Sequence, residues 1–579
     1  MTTPTRRALM KGVAAASVLR WLPAWAQPVS PGIAPAIPTV AGPDIRLRIA
    51  HQRMRIDGRD SHAIGINGTI PGPLLRLREG QTARIAVTND LDEDSSIHWH
   101  GLLLPFQMDG VPGISFPGIP ARSTFTYEFP VVQAGTYWYH SHSGLQEQMG
   151  HYGPIAIDPR DGDPVRADRE HVILLSDHSP LHPHLIFRKL KQQGGYFNYQ
   201  KQTLAGLLAG RDQPLKERMD SGAMRMDPAD VADVTGATYS YLVNGHGPAD
   251  NWTGLFRPGE QVRLRVINAS AMTIFNVRIP GLRLTVVQAD GLSVRPVTVD
   301  ELQITVAETY DIIVAPTEDR PYTLVAEASD RSGMARATLA PRAGMTAPVP
   351  PLRPRPLATM KDMGMGAASG GMDHGAMGHD MAGMDHGGAR VGAAMTHDMR
   401  DFSRAPGVAR TPAVQTIAPM PMDRTGEPGQ GLDSVEGRCL TYRDLMATDR
   451  NPDTRAPSRV MEIHLTGNME RYMWAFDGVK FSELRGSIPF RKDERVRVTL
   501  VNDTMMAHPI HLHGHYFELV TGHGDYAPRK HTVNVAPGGK VTFDVTMGAP
   551  GDWAFHCHLL YHMHAGMMQV VSVRAEDRG

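Results

Sequence analysis

Lys492-Asp493-Glu494-Arg495-Val496-Arg497-Val498-Thr499-Leu500-Val501-Asn502 is a polar turn followed by a strand of period two that closes on an asparagine. Two other stretches have the same form. Residues 79–89 read Glu-Gly-Gln-Thr-Ala-Arg-Ile-Ala-Val-Thr-Asn, and residues 258–268 read Pro-Gly-Glu-Gln-Val-Arg-Leu-Arg-Val-Ile-Asn. A small turn pair precedes each: Asn67-Gly68, Asn244-Gly245 and Asp477-Gly478. A second landmark follows each: Gly135-Thr136-Tyr137-Trp138-Tyr139, Arg320-Pro321-Tyr322-Thr323-Leu324 and Gly551-Asp552-Trp553-Ala554-Phe555. Matched order and spacing of three landmarks predicts three repeats of an antiparallel β-sandwich with Greek-key connections, an all-β chain.

The histidines fall unevenly on this repeat. The first copy carries His98-Trp99-His100 and His140-Ser141-His142, and the third carries His508-Pro509-Ile510-His511-Leu512-His513 and His556-Cys557-His558. At the matching places the second copy has Phe275-Asn276-Val277-Arg278 and Ala326-Glu327-Ala328, with no metal-binding pair. Alternate side chains of a strand share a face, so each His-x-His pair presents two imidazoles to one side. Cys557, between two histidines, then faces the other side. The pattern predicts a metal cluster shared by copies one and three, with copy two as a spacer. A second site lies around Cys557, with His562 and Met567 further on. Thiolate, imidazole and distant thioether are blue-copper ligands, and this soft set selects copper over magnesium, calcium or manganese. Zinc fits less well, having no redox use for the Cys–His wiring.

Composition bounds the rest. A chain of 579 residues is too long for one core. Lys+Arg 59 against Asp+Glu 60 gives no reason to expect a nucleic-acid partner or an acidic membrane surface. Of the two cysteines, Cys439 is left unpaired if Cys557 binds metal, so no intramolecular disulfide is expected. Residues 1–26 read as a twin-arginine signal peptide: Arg6-Arg7, an apolar run to Leu22 too short to span a membrane, and Ala24-Trp25-Ala26 as cleavage site. That places the protein in the periplasm, exported already folded. Residues 341–357 are Pro-rich, and 360–399 hold nine methionines and four histidines among glycines and alanines. No period can be fitted there, so a disordered Met/His-rich linker is expected. Thioethers favour cuprous ion. The linker therefore either gathers cuprous ion, sequesters copper, or serves as an oxidation-tolerant spacer.

In order and spacing the four motifs His98-x-His100-Gly101, His140-x-His142, His508-x2-His511-x-His513 and His556-Cys557-His558-x3-His562-x4-Met567 resemble the multicopper oxidases. Within them the chain is most similar to bacterial copper-resistance (CopA-type) periplasmic oxidases, which also fits the leader, the Met/His-rich linker and the stretch around Tyr241–Leu255. The resemblance implies three consecutive cupredoxin-like domains, at 45–160, 165–345 and 412–575, with the linker at 346–411. It implies four copper ions. His508, Cys557 and His562 would hold type 1, with Met567 axial. His98 and His511 would hold type 2. His100, His140, His142, His513, His556 and His558 would hold the type 3 pair. Electrons would pass through Cys557 to reduce dioxygen to water, and Asp109 would serve as a catalytic acid near the cluster. Some relatives place a second carboxylate directly after the type 1 histidine; here that residue is Met563. The expected donor is cuprous ion, serving copper resistance. A laccase acting on phenolic donors and a copper-sequestering protein are the alternatives. A periplasmic copper carrier is an expected partner. A monomer is expected, because three domains in one chain build the shared cluster unaided.

Overall fold

Thr82–Asn89, Val262–Asn268 and Arg495–Asn502 are central strands of three different sheets. Each runs parallel to an earlier strand: Asp44–Ile56, Arg169–His178 and Arg459–Asn468 respectively. Each is antiparallel to a later one: Thr124–Pro130, Thr309–Val314 and Gly539–Thr546. The computed structural model describes residues 37–223, 227–365 and 399–575. The leader assigned to 1–26 and the Met/His repeat within 366–398 lie outside the described residues.

The closing asparagines have a mechanical job. Asn89, Asn268 and Asn502 are fully buried. Each amide donates to carbonyls of the following loop and of a neighbouring segment: Asn89 to Glu93 and Ile119, Asn268 to Thr273 and Ile304, Asn502 to Met506 and Val535. Each side-chain oxygen accepts the N–H two residues on. The loop that leaves the strand is thereby fixed. The turn pairs repeat in the same way: both residues of Asn67-Gly68, Asn244-Gly245 and Asp477-Gly478 have positive φ, as a tight two-residue hairpin turn requires.

Among the described residues, six sheets make three cupredoxin-like β-sandwiches in sequence. In the sheet that carries the histidines, His98 pairs with His140 and His511 pairs with His556. Val277 pairs with Ala326 at the matching place in the second repeat. The first residue of each pair lies nine positions beyond Asn89, Asn502 or Asn268. The three copies are therefore in register, and apolar residues stand where the outer two have histidines.

Thr82–Asn89 alternates, with Ala83, Ile85 and Val87 buried, the Ile85 and Val87 side chains each worth about 1.5–3 kcal/mol by burial. Val262–Asn268 is buried throughout. Its polar face is an interface: Arg263 and Arg265 pair with Asp311, and Arg265 also donates to Thr136 of the first repeat (2.8 Å). Three helices, Pro183–Gln192, Leu204–Leu208 and Leu215–Ala223, interrupt the second repeat, which the all-β reading does not anticipate. The first has Pro183 at its start and buries Ile186 and Leu190, spaced four apart on one face. The described flanks of the linker are docked. Arg353 pairs with Glu301 and Glu327, and Phe402, Ala405 and Val408 pack with Val414 and Ile417. No helix among the described residues is long and apolar enough to cross a membrane.

Candidate metal centres

The strand His508–Leu512, the end of strand Gly551–Cys557 and the short helix Leu560–His564 meet at one point. There Cys557 Sγ lies 3.6 Å from His508 Nδ1 and 3.8 Å from His562 Nδ1, and the two nitrogens are 3.2 Å apart. All three side chains are buried, as is Met567, whose carbonyl accepts the Cys557 N–H. A thiol and two imidazoles thus form a triangle with their lone pairs converging. The far side of each ring is held: His508 Nε2 is 2.8 Å from Thr504 Oγ1, and His562 Nε2 is 2.8 Å from Asp233 Oδ2. Trp474 stacks on His562 with centroids 3.9 Å apart. Burial pushes the Cys557 thiol far above its ordinary value. A bound cation reverses that bias, because it stabilises the thiolate directly.

On the other face of the Cys557 strand lie eight histidines from the two outer repeats. His142, His513 and His556 converge, with His556 Nε2 3.4 Å from His142 Nε2 and 3.0 Å from His513 Nε2. His100, His140 and His558 form a second group, with ring centroids 4.9–5.7 Å apart. His98 and His511 sit together, centroids 5.8 Å apart. The outward nitrogens are tied down, several to backbone carbonyls: His98 Nδ1 to Asp109, His511 Nδ1 to His531, and His556 Nδ1 to Cys557. The inward ones are not. His98 Nε2, His100 Nδ1, His140 Nε2, His511 Nε2 and His558 Nε2 are buried with no hydrogen-bond partner. Five orphaned lone-pair nitrogens in one interior space are costly unless something accepts them, and metal ions do so. Burial holds His100, His140, His142, His511, His513 and His558 well below the ordinary imidazole value, and His556 at about 4. Neutral imidazole is the ligating form. The donor set fits copper.

Asp109 is buried against this cluster: Oδ2 lies 2.9 Å from His513 Nδ1 and Oδ1 3.4 Å from His98 Nδ1. The Asp-Gly pair is also a turn. Gly110 has φ +82°, and a Cβ there would meet the Ile97 carbonyl at 1.8 Å.

Four partners escape a reading of the sequence. Glu147 lies 2.7 Å from His140 Nδ1, and burial pushes it well above the usual carboxylate range. Asp233 reaches His562 from the second repeat; its only sequence context is an irregular loop. Thr532 and the buried His531 stand behind His100 and His511. Glu147 is seven residues from His140 and was within reach of inspection. The other three carry no local signal.

Residues 48–162, 170–344 and 454–577 each match the multicopper oxidase family. The chain is 48% identical to a copper resistance protein A homolog of Pseudomonas syringae pv. tomato, over 99% of each chain. It is 46% identical to copper resistance protein A of Escherichia coli, over 98% of this chain and 99% of that one. Among solved structures it resembles Fet3p, a multicopper oxidase that functions in iron import, with TM-score 0.62 and 19% identity over 92% of this chain and 90% of that one. Fold, converging imidazoles and sequence relationship lead to one conclusion: the chain belongs to the multicopper oxidase family, copper-holding oxidoreductases with dioxygen as acceptor.

Proposed function

We propose that this protein is a copper-resistance oxidase whose electron donor is cuprous ion. Four cuprous ions, one dioxygen and four protons give four cupric ions and two waters. His508, Cys557 and His562, with Met567, would hold type 1 copper. His98 and His511 would hold type 2; His100, His140, His142, His513, His556 and His558 would hold the type 3 pair. When bound, these four coppers supply one-electron transfer and dioxygen reduction. The chain supplies the rest. Cys557, bonded directly to His556 and His558, gives a covalent path from one site to the other. Asp109 orients His513 and His98 and would offer the cluster a group able to exchange protons. Thr504 and Asp233 fix the type 1 imidazoles.

The observation that carries the donor assignment is a cavity of about 310 Å³ whose wall includes Met469, Met505, Thr504, Asp227 and Asp230. Met363 is buried against Met505, and Met365 and Met469 pack on the same cluster. Thr504 is the residue that bonds His508, so the cavity lies one hydrogen bond from the type 1 site. The thioethers suit a soft cation such as cuprous ion, and Asp227 and Asp230 add negative charge beside Lys201 on the same wall. A phenol is less well served, because His562 is fully buried beneath Asp233, Tyr472 and Trp474. Complete donor sets for electron transfer also weigh against storage alone.

We take the domains to run 45–160, 165–345 and 412–575, the compartment to be the periplasm reached through the Arg6-Arg7 leader, and the chain to act as a monomer that exchanges copper with a carrier. The test is oxygen uptake by copper-loaded protein with cuprous ion and with a phenolic donor, on the full chain and on a variant lacking 366–398. Preferred cuprous oxidation supports the reading. Strong phenol turnover with little cuprous activity would make it a laccase.

A further inference from the structure

The second repeat, which carries none of the cluster histidines, sends one hairpin turn to the back of the cluster. Asp290-Gly291 joins strands Leu284–Ala289 and Leu292–Val299, and both turn residues have positive φ. Gly291 is wedged against the first repeat. A Cβ on it would lie 2.3 Å from the Tyr137 ring, and a Cβ on Gly135 would lie 2.1 Å from the Gly291 carbonyl oxygen. On its other side, the fully buried Asp290 carboxylate holds three consecutive residues of the third repeat. Oδ1 pairs with Lys530 Nζ at 3.0 Å, and Oδ2 accepts the backbone N–H groups of His531 and Thr532, both at 3.2 Å. Lys530 is itself fully buried and also pairs with Glu308 of the second repeat at 3.2 Å.

What this clamp positions is the Thr532 hydroxyl. It stands 3.2 Å from His100 Nε2, 3.3 Å from His511 Nδ1 and 3.1 Å from His531 Nδ1. His100, His511 and His531 have nitrogens within 4.8 Å of one another and have the look of a metal triad. The Thr532 oxygen sits among them, so they form a hydrogen-bonded backing. The protons follow from the unpartnered atoms. His511 donates from Nδ1 to the His531 carbonyl (2.7 Å), which leaves Nε2 free inward. His100 donates from Nε2 to Thr532 Oγ1, which leaves Nδ1 free inward.

We propose that Thr532, held in place by Asp290 of the copper-free repeat, is a positioning residue that fixes the tautomer of His100 and the ring angle of His511, and that the second repeat thereby takes part in building the cluster. The inference rests on the ligand reading given above, not on the identity of the electron donor. Partners behind a ligating histidine alter metal affinity by about 10–100-fold when removed.

The test uses the copper-loaded full chain and three variants, Thr532→Val, Thr532→Ser and Asp290→Asn. The readouts are blue type 1 absorption, the type 2 electron paramagnetic resonance spectrum and copper retained against a chelator. Thr532→Val is expected to keep the blue band, shift the type 2 hyperfine splitting and lose type 2 copper at about 10–100-fold lower chelator. Thr532→Ser, which keeps the hydroxyl, restores both, and Asp290→Asn moves them in the direction of Thr532→Val. A wild-type type 2 spectrum and retention in Thr532→Val would overturn the proposal, as would a serine variant no better than valine. If Asp290→Asn loses type 1 and type 2 copper alike, the clamp acts only on general packing and its part in the proposal falls. Absence of any type 2 signal in the parent protein would sink the ligand reading, and this inference with it.

Discussion

Asp109 and His513 lie 404 residues apart in the chain and share a 2.9 Å hydrogen bond across the boundary between the first and third repeats. The same carboxylate comes within 3.4 Å of His98 Nδ1, so one side chain touches two histidines from different repeats. Asp109→Asn keeps an acceptor oxygen and removes the group that can exchange a proton. It is expected to slow dioxygen turnover by about 10²–10⁴-fold, the range for losing a positioned proton donor, while the blue type 1 band stays unchanged. Stopped-flow reoxidation of the reduced protein checks this; an unaltered rate would remove Asp109 from the mechanism.

Asp233 accepts hydrogen bonds from His562 Nε2 (2.8 Å) and the Tyr472 hydroxyl (2.6 Å), and it comes from the second repeat. A carboxylate behind a ligating imidazole raises its basicity. Asp233→Asn should therefore raise the type 1 reduction potential, and Tyr472→Phe should move it less. Potentiometric titration of the blue band measures both. Equal potentials in all three proteins would show that Asp233 serves only packing.

The cavity methionines can be tested without disturbing the type 1 ligands. Met469→Leu/Met505→Leu conserves volume, so stability should fall by less than about 1.5 kcal/mol per site. KM for cuprous ion should rise about tenfold, equivalent to about 1.4 kcal/mol of binding, with phenol oxidation unchanged. Parallel loss of both activities would place the methionines in the scaffold instead of the substrate path.

Acid should destabilise the copper-free protein. Burial holds His515, His531 and His556 at about 4, below the ordinary 6.5. Between those values the unfolded chain binds protons that the folded chain does not, so stability is full above pH 6.5 and falls as pH drops toward 4. Each such histidine costs about 1.4 kcal/mol per pH unit over that window. Differential scanning calorimetry of chelator-stripped protein at pH 7 and pH 5 should show a clear drop in Tm. A flat profile would mean that the folded protein admits protons to these rings.

The repeats and the histidine pairs were legible in the sequence because both are local. A strand alternates its faces every residue, so His98 and His100, or His556 and His558, must share a side with Cys557 opposed, whatever the rest of the chain does. Asn89, Asn268 and Asn502 likewise act on the loops that follow them, within a few residues. His562 was legible as a candidate by residue type alone; a helical turn, Leu560–His564, brings it back to Cys557. The tertiary structure decided the partners behind the ligands. Asp233 meets His562 from 329 residues away, and Thr532 meets His100 from 432. No periodicity encodes such contacts, because they depend on how three sandwiches pack. The second repeat shows the difference most plainly. Its sequence announces only missing histidines, whereas the fold brings Asp233 against His562 and Asp290 against the backbone of His531 and Thr532.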